Sequence, residues 1–405
     1  MSRKVSIGLL ALLIMGQLLF WGTTRGLTGA VDLGEAFCVF NAGKNFDQIG
    51  LRELKFLQDD ATSPVPAAHP HSYTHQPMFP VYLSFVMHRM GLKSFSFQSL
   101  AVIPFFLLGM ILCFQFFQRR VSWKFAAVVV AVSILDPLGT MSWGSHLFRA
   151  FSWPLLWGAF LLKERWEEPR WRKALFLPVI ALAFYFEWSF AGVVFVALLI
   201  DEGIQRKKFP LGLFFLGGIA AGSSILLRLF IVGNAIGWET FLTDLSLTLS
   251  NRFTGSPTWT ELQQFYEERH ISHWGFQAKL TLGFFWQSLQ LFYQRVTENL
   301  GPATVELNLL LPLLFVLPLS ETMKKAFRIY GALLVGVLSL WVLSPLYVHH
   351  AYIHPFFPLF VFPLNMGKAL WIAGLCDVFR SRAKWIGWSS AFLLLSVFGY
   401  QLARQ

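Results

Sequence analysis

Two carboxylates and a scatter of cationic and aromatic side chains carry the first candidate chemistry. Asp32 and Glu35 follow closely after an apolar run, with Asn41, Lys44 and Asn45 next. A carboxylate near a helix end can act as a general base or position an acceptor hydroxyl. Tyr73 and His75 come later in the same polar stretch. His146, Arg149, Glu187, His349, His350 and Tyr352 complete the set. Histidine and arginine can neutralise a departing phosphate. Each residue also has a plainer use. Asp32 suits a helix N-cap, and Glu35 suits a first helical turn. His146 and Arg149 can snorkel to an interface. Glu187 can pair with Arg149 or Arg228, while His349 and His350 can anchor an interface beside Tyr347 and Tyr352. The adjacent His349-His350 pair lacks the spacing of helix-borne metal ligands. A divalent cation would need distant carboxylates such as Glu35, so no cofactor is expected.

These residues need elements to hold them, and the composition says what those are. Of 405 residues, 55% are hydrophobic and only 14% charged. The mean hydropathy is +0.54. A soluble globule carries about 25% charged residues, so the expected solvent is lipid. The net charge of +11 comes from short basic clusters between apolar runs. No basic run interleaved with stacking aromatics points to nucleic acid, so none is expected as a partner. The three cysteines, Cys38, Cys113 and Cys376, are too scattered for a metal or redox motif.

Basic clusters set the expected topology through the positive-inside rule. Arg3 and Lys4 place the N-terminus in the cytoplasm, and 5–21 reads as an uncleaved first spanning helix. The segment 23–97 is a long extracytoplasmic loop, within which 77–91 is an apolar stretch too short to span, hence interfacial or re-entrant. Spans follow at 99–117, 125–143 and 149–162. The stretch 174–201 has basic residues on both flanks, so it must turn back, and the break falls at Phe186-Glu187-Trp188-Ser189. Glu187 then lies at the outer tip of a hairpin, where a carboxylate is costly and by default functional. Asp136-Pro137 marks a helix break. A span at 209–233 carries Arg228. A second outer loop, 238–302, contains amphipathic pieces rich in Trp and Phe. Spans at 303–319, 329–348, 355–375 and 385–403 complete a single transmembrane domain, 1–405. The expected fold class is all-α and polytopic. All ten histidines fall on the outer face in this scheme.

Several segments resemble the GT-C superfamily of polyprenyl-phosphate-sugar glycosyltransferases, which includes protein O-mannosyltransferases and the aminoarabinose transferase of lipid A. They are Gly34-Glu35-Ala36-Phe37-Cys38, Ala42-Gly43-Lys44-Asn45, His75-Gln76-Pro77-Met78 with Gly91, and His350-Ala351-Tyr352-Ile353-His354-Pro355-Phe356-Phe357-Pro358. In plan the resemblance covers most of the chain, and its motifs lie in 32–91 and 345–365. It implies transfer of a sugar from a polyprenyl-phosphate carrier to an unidentified acceptor on the extracytoplasmic face, in a bacterial inner membrane. Asp32 or Glu35 is then the catalytic base. Tyr73, His75, His146, Arg149, Glu187, His349, His350 and Tyr352 are expected to bind substrate, and membrane lipids are partners. The sequence departs from the pattern at three places. Gly34 stands at the usual catalytic Asp, Ser152 or Trp153 at a second acid, and Glu187 near a usual Lys. Those departures leave open a non-catalytic protein of the same fold, serving as a lipid-binding or assembly subunit.

Overall fold

The computed structural model describes residues 33–57, 72–73, 79–95, 97–98, 103–135, 147–164, 170–186, 188–254, 259–269, 271–272, 302–316, 319–343 and 357–381, with isolated positions between 283 and 297. Thirteen α-helices are described: α1 Leu33–Gln48, α2 Phe79–Arg89, α3 Ile103–Arg120, α4 Trp123–Leu135, α5 Leu147–Glu164, α6 Arg170–Phe186, α7 Trp188–Arg206, α8 Leu211–Ile236, α9 Trp238–Thr254, α10 Trp259–Glu268, α11 Pro302–Leu309, α12 Glu321–Leu343 and α13 Phe357–Ser381. The only described strands are β1, Ser72–Tyr73, and β2, Ile271–Ser272, which pair in parallel. The fold is all-α. The expected first and last spans, 5–21 and 385–403, lie outside the described residues, as does Asp136.

Aromatic packing sets the helix directions. On α3 and α5, Gly109 meets Trp153, Phe116 packs on Trp157 and Phe160, and Arg120 meets Glu164. Positions rise together along both helices, so α3 and α5 run parallel, with α4 between them in sequence. A Cβ at Gly109 would lie 2.8 Å from that of Trp153, which is why a glycine stands at this crossing. Phe362 of α13 packs on Trp153 and Trp157 and completes the core.

The doubled-back reading of 174–201 matches the helix boundaries: α6 ends at Phe186 and α7 begins at Trp188. Arg120 and Gln205 join α3 to α7 at their C-terminal ends. The bundle therefore has a basic end, formed by the C-termini of α3, α5 and α7, and a loop end at Phe186.

From the basic end α8 returns beside α7, where Gly217 leaves room for the Phe195 ring. Helix α8 is the one described helix long and apolar enough to cross a membrane. Its 26 residues extend about 39 Å at 1.5 Å each. Phe215, Ile219, Leu226 and Phe230 are 59–67% exposed along it, while Gly217, Ala220, Ser224 and Arg228 are buried.

The stretch 303–319 is not a single helix: α11 stops at Leu309, and Leu311–Val316 is a 3₁₀ turn. Pro312 lacks an N–H, and its ring would clash with the carbonyl of Asn308 in a continued α-helix. The carbonyl of Leu307 instead accepts a 2.6 Å hydrogen bond from Trp371 Nε1. Asn308 donates to the carbonyl of Leu364 and accepts from the Tyr330 hydroxyl.

Candidate functional site

At the loop end the first loop is organised as two packed helices. Helix α1 turns Val39, Ala42 and Phe46 inward, a helical spacing, together with Asn41 and Asn45. Helix α2 answers with Val81, Ser84, Met87 and His88. Gly43 sits at the crossing, where a Cβ would run into Ser84 and approach the backbone of Phe85. The Ser84 hydroxyl donates to Gln98 Oε1 at 2.8 Å, and Gln98 Nε2 donates to the carbonyl of Leu92 at 3.0 Å. The His88 ring lies tilted against Phe40, 4.7 Å between ring centres, with Nε2 3.2 Å from the Phe40 carbonyl. A carbonyl only accepts, so Nε2 carries a hydrogen. Burial lowers the His88 pKa from its ordinary value, opposed by the Phe40 hydrogen bond and by Asp47.

This pair is fastened to the bundle at several points. Phe79 packs edge-on against Phe186 at the tip of α6, 4.7 Å between ring centres. Lys55 Nζ donates to the carbonyl of Ala235 in the last turn of α8 at 2.9 Å, where a cation also suits the helix dipole. The Tyr82 hydroxyl donates to the Phe56 carbonyl at 2.7 Å. Lys55 and Phe56 have φ of 50° and 60°, a left-handed conformation uncommon for such residues. The two hydrogen bonds hold that turn. Burial pushes the Tyr82 phenol up to about 12, while nearby Arg228 pulls the other way. The β1–β2 pairing joins Tyr73 in the first loop to Ser272 in the second. In the second loop, Tyr266 donates to Asp244 Oδ1 at 2.9 Å between α10 and α9.

The expected site residues are distributed unevenly over this framework. Glu35 lies in the first turn of α1, Tyr73 in β1 and Arg149 in the first turn of α5. For these three the backbone is described. Asp32, His75, His146, Glu187, His349, His350 and Tyr352 lie outside the described residues. Among the described residues Tyr73 pairs with the second loop through β2, while Glu35 lies on the helix that packs against α2. Among the described residues no group of three His, Cys, Asp or Glu is placed to hold a metal.

Two polar clusters escaped the sequence reading. At the basic end, one Arg120 guanidinium nitrogen lies 2.8 Å from each oxygen of Asp201. Lys163 Nζ donates to Asp201 at 3.1 Å and pairs with Glu202, which also pairs with Arg206. Gln205 donates to Asp201 at 2.6 Å. Glu164 lies 3.2 Å from Arg120 Nε, but its Oε1 is buried without an aligned hydrogen bond. Burial therefore outweighs the cation and pushes the Glu164 carboxyl up to about 7. The second joins Tyr330, Asn308 and the Leu364 carbonyl of α13, the helix that also buries Asn365 and Lys368. The sequence signal for the first was the charge at three neighbouring helix ends. For the second it was a lysine inside an apolar run. No protein-family model matches the sequence, and no curated protein or solved structure is detectably similar to it.

Proposed function

We propose that the chain is a polytopic membrane glycosyltransferase that moves a sugar from a polyprenyl-phosphate carrier to an acceptor at the loop end, which faces away from the cytoplasm. The observation that carries the reading is the docked α1–α2 pair. A loop with GT-C-like motifs is folded onto the tips of α6 and α8 beside a helix with an exposed apolar flank. That placement suits a lipid-borne donor, whose chain lies along apolar helix surface while its head group reaches the loops. The acceptor oxygen attacks the anomeric carbon, and the bond from that carbon to the phosphate oxygen breaks with inversion. The acceptor proton passes to Glu35 or Asp32. Arg149, with His75 or His349, meets the charge on the departing polyprenyl phosphate. The basic end faces the cytoplasm in this reading, with the N-terminus, and the membrane is a bacterial inner membrane.

The test is transfer of labelled sugar from a polyprenyl-phosphate donor in membranes holding the chain or its Glu35→Gln variant. Loss of about two orders of magnitude, a usual general-base contribution, is expected in the variant at normal folded yield. Gly34, at the position of the usual catalytic Asp, favours a second reading, a non-catalytic protein that binds the carrier lipid. Donor binding with no transfer by the parent chain would select that reading. Absence of both binding and transfer would overturn both.

A further inference from the structure

The charges at the basic end are sorted by depth. The carboxylates of Glu164, Asp201 and Glu202 point inward, with side chains 7–10% exposed, and Arg120 and Lys163 sit among them. The exposed cations of the α3–α4 and α7–α8 turns are Arg119, Lys124, Arg206, Lys207 and Lys208. Arg206 leans on Glu202, and Lys124 lies over the Trp123 ring. Lys207 and Lys208 form no ion pair among the described residues. They occupy the tight turn between α7 and α8, where Lys207 holds a left-handed φ of 53°. The Arg120–Gln205 hydrogen bond sets the end of α3, with Arg119 and then Lys124, beside that turn. The described surface at this end therefore presents cations over a neutralised interior.

Apolar surface begins where the cations stop. Phe209, just before α8, and Leu211, Phe214 and Phe215 on its first turns are 46–63% exposed. A soluble acidic partner would cover the cations and leave these rings wet. The interface of a bilayer covers both at once, with phosphates against the lysines and acyl chains against the rings.

We propose that the α7–α8 turn, with the ends of α3 and α4, is a docking surface for anionic phospholipid headgroups of the membrane leaflet at the basic end. This inference rests on the membrane-embedded reading and not on sugar transfer. Juxtamembrane lysines contribute through charge at short range, and the attraction fades within a Debye length. The surface therefore selects headgroup charge rather than acyl chain, and salt weakens the selection.

The full chain, reconstituted in vesicles of phosphatidylcholine mixed with phosphatidylglycerol, tests this with spin-labelled lipids of each headgroup. Labelled phosphatidylglycerol should be motionally restricted in preference to labelled phosphatidylcholine, and added salt should reduce the preference. Lys207→Gln with Lys208→Gln should lower it, by up to about fivefold per lysine. Arg52→Gln with Lys93→Gln, in the first loop, should leave it unchanged. Equal restriction of both lipids, or a preference that survives loss of both turn lysines, overturns the docking surface and leaves the membrane reading standing. Restriction of neither lipid overturns the membrane reading together with it. Sugar transfer, measured in the same vesicles, reports separately on the enzymatic reading.

Discussion

Arg120 on α3 and Asp201 on α7, 81 positions apart, meet with one guanidinium nitrogen 2.8 Å from both carboxylate oxygens. Asp201 also accepts from Lys163 and Gln205, so three donors converge on one carboxylate. Removing its charge leaves Lys163, 6% exposed, to Glu202 alone of its two carboxylates, and Arg120 to Glu164. Breaking a buried pair from one side costs on the order of 3 kcal/mol, whereas replacing both partners by apolar groups is often nearly neutral. Asp201→Asn should lower the unfolding midpoint in detergent markedly. The double change Arg120→Met with Asp201→Leu should recover part of the loss. An Asp201→Asn chain as stable as its parent would mean that this cluster does not hold α3, α5 and α7 together.

Glu164 gives the same cluster a dependence on pH. Burial is the largest cause of its raised value of about 7; Arg120 and Arg119 oppose it, Asp201 adds to it and Lys163 opposes it. A folded value above the ordinary 4.5 means that the native chain holds this proton more tightly than the unfolded chain. The contribution is complete below about pH 4.5 and is lost as pH rises through about 7. Glu164→Gln keeps the shape and removes the titration. The variant should gain stability over its parent as pH rises, by on the order of 1–3 kcal/mol at about pH 8. Unfolding midpoints of both chains across that range check it. Parallel curves would show that Glu164 stays ionised throughout.

His88 works in the opposite sense. Its folded value lies below the ordinary 6.5 because burial disfavours the imidazolium. Stability from neutral His88 is therefore present above about pH 6.5 and is lost as pH falls through the folded value. The α1–α2 seam should loosen on acidification, seen as faster amide exchange in α1. His88→Gln retains an N–H that can reach the Phe40 carbonyl and should flatten the dependence. Acid loosening of equal size in the variant would assign the effect to groups other than His88.

Much of the framework was legible because it rests on contrast between apolar runs and basic flanks. The short apolar stretch at 77–91 contains α2, and the expected turn at Glu187 falls between the observed ends of α6 and α7. Helix α1 was less visible. Its polar residues Asn41, Asn45 and Lys44 read as loop chemistry, and only packing against α2 shows that Asn41 and Asn45 are buried in a seam. The break at Pro312 was legible in principle, since the proline marks it, but hydropathy alone joined 303–319 into one span. The Arg120–Asp201 cluster was not legible, because positive-inside counting treats the lysines and arginines of basic clusters as solvated and ignores the acids among them. Its members are far apart in sequence and meet only through the parallel packing of α3 and α5.

The pairing of Ser72 with Ile271 makes the last prediction, about how the two loops share one face. Paired strands lie about 4.8 Å apart, within the Cα separations of about 4.4–6.8 Å that a disulfide bridges. Cys113 is buried and Cys376 exposed, so both, with Cys38, must first be replaced to leave a clean background. In that background Ser72→Cys with Ile271→Cys should crosslink under mild oxidation, detected as a linked peptide pair after proteolysis. Ser72→Cys with Lys208→Cys should not, since Lys208 lies at the basic end. The bond would fix Tyr73, the next residue, beside the second loop. If the donor enters between the loops, oxidation should lower sugar transfer and reduction should restore it, while crosslinked but fully active chains would place the entry elsewhere. Failure of the Ser72–Ile271 pair to link, with each single cysteine still open to labelling, would separate the two loops and remove the shared platform on which the placement of Tyr73 depends.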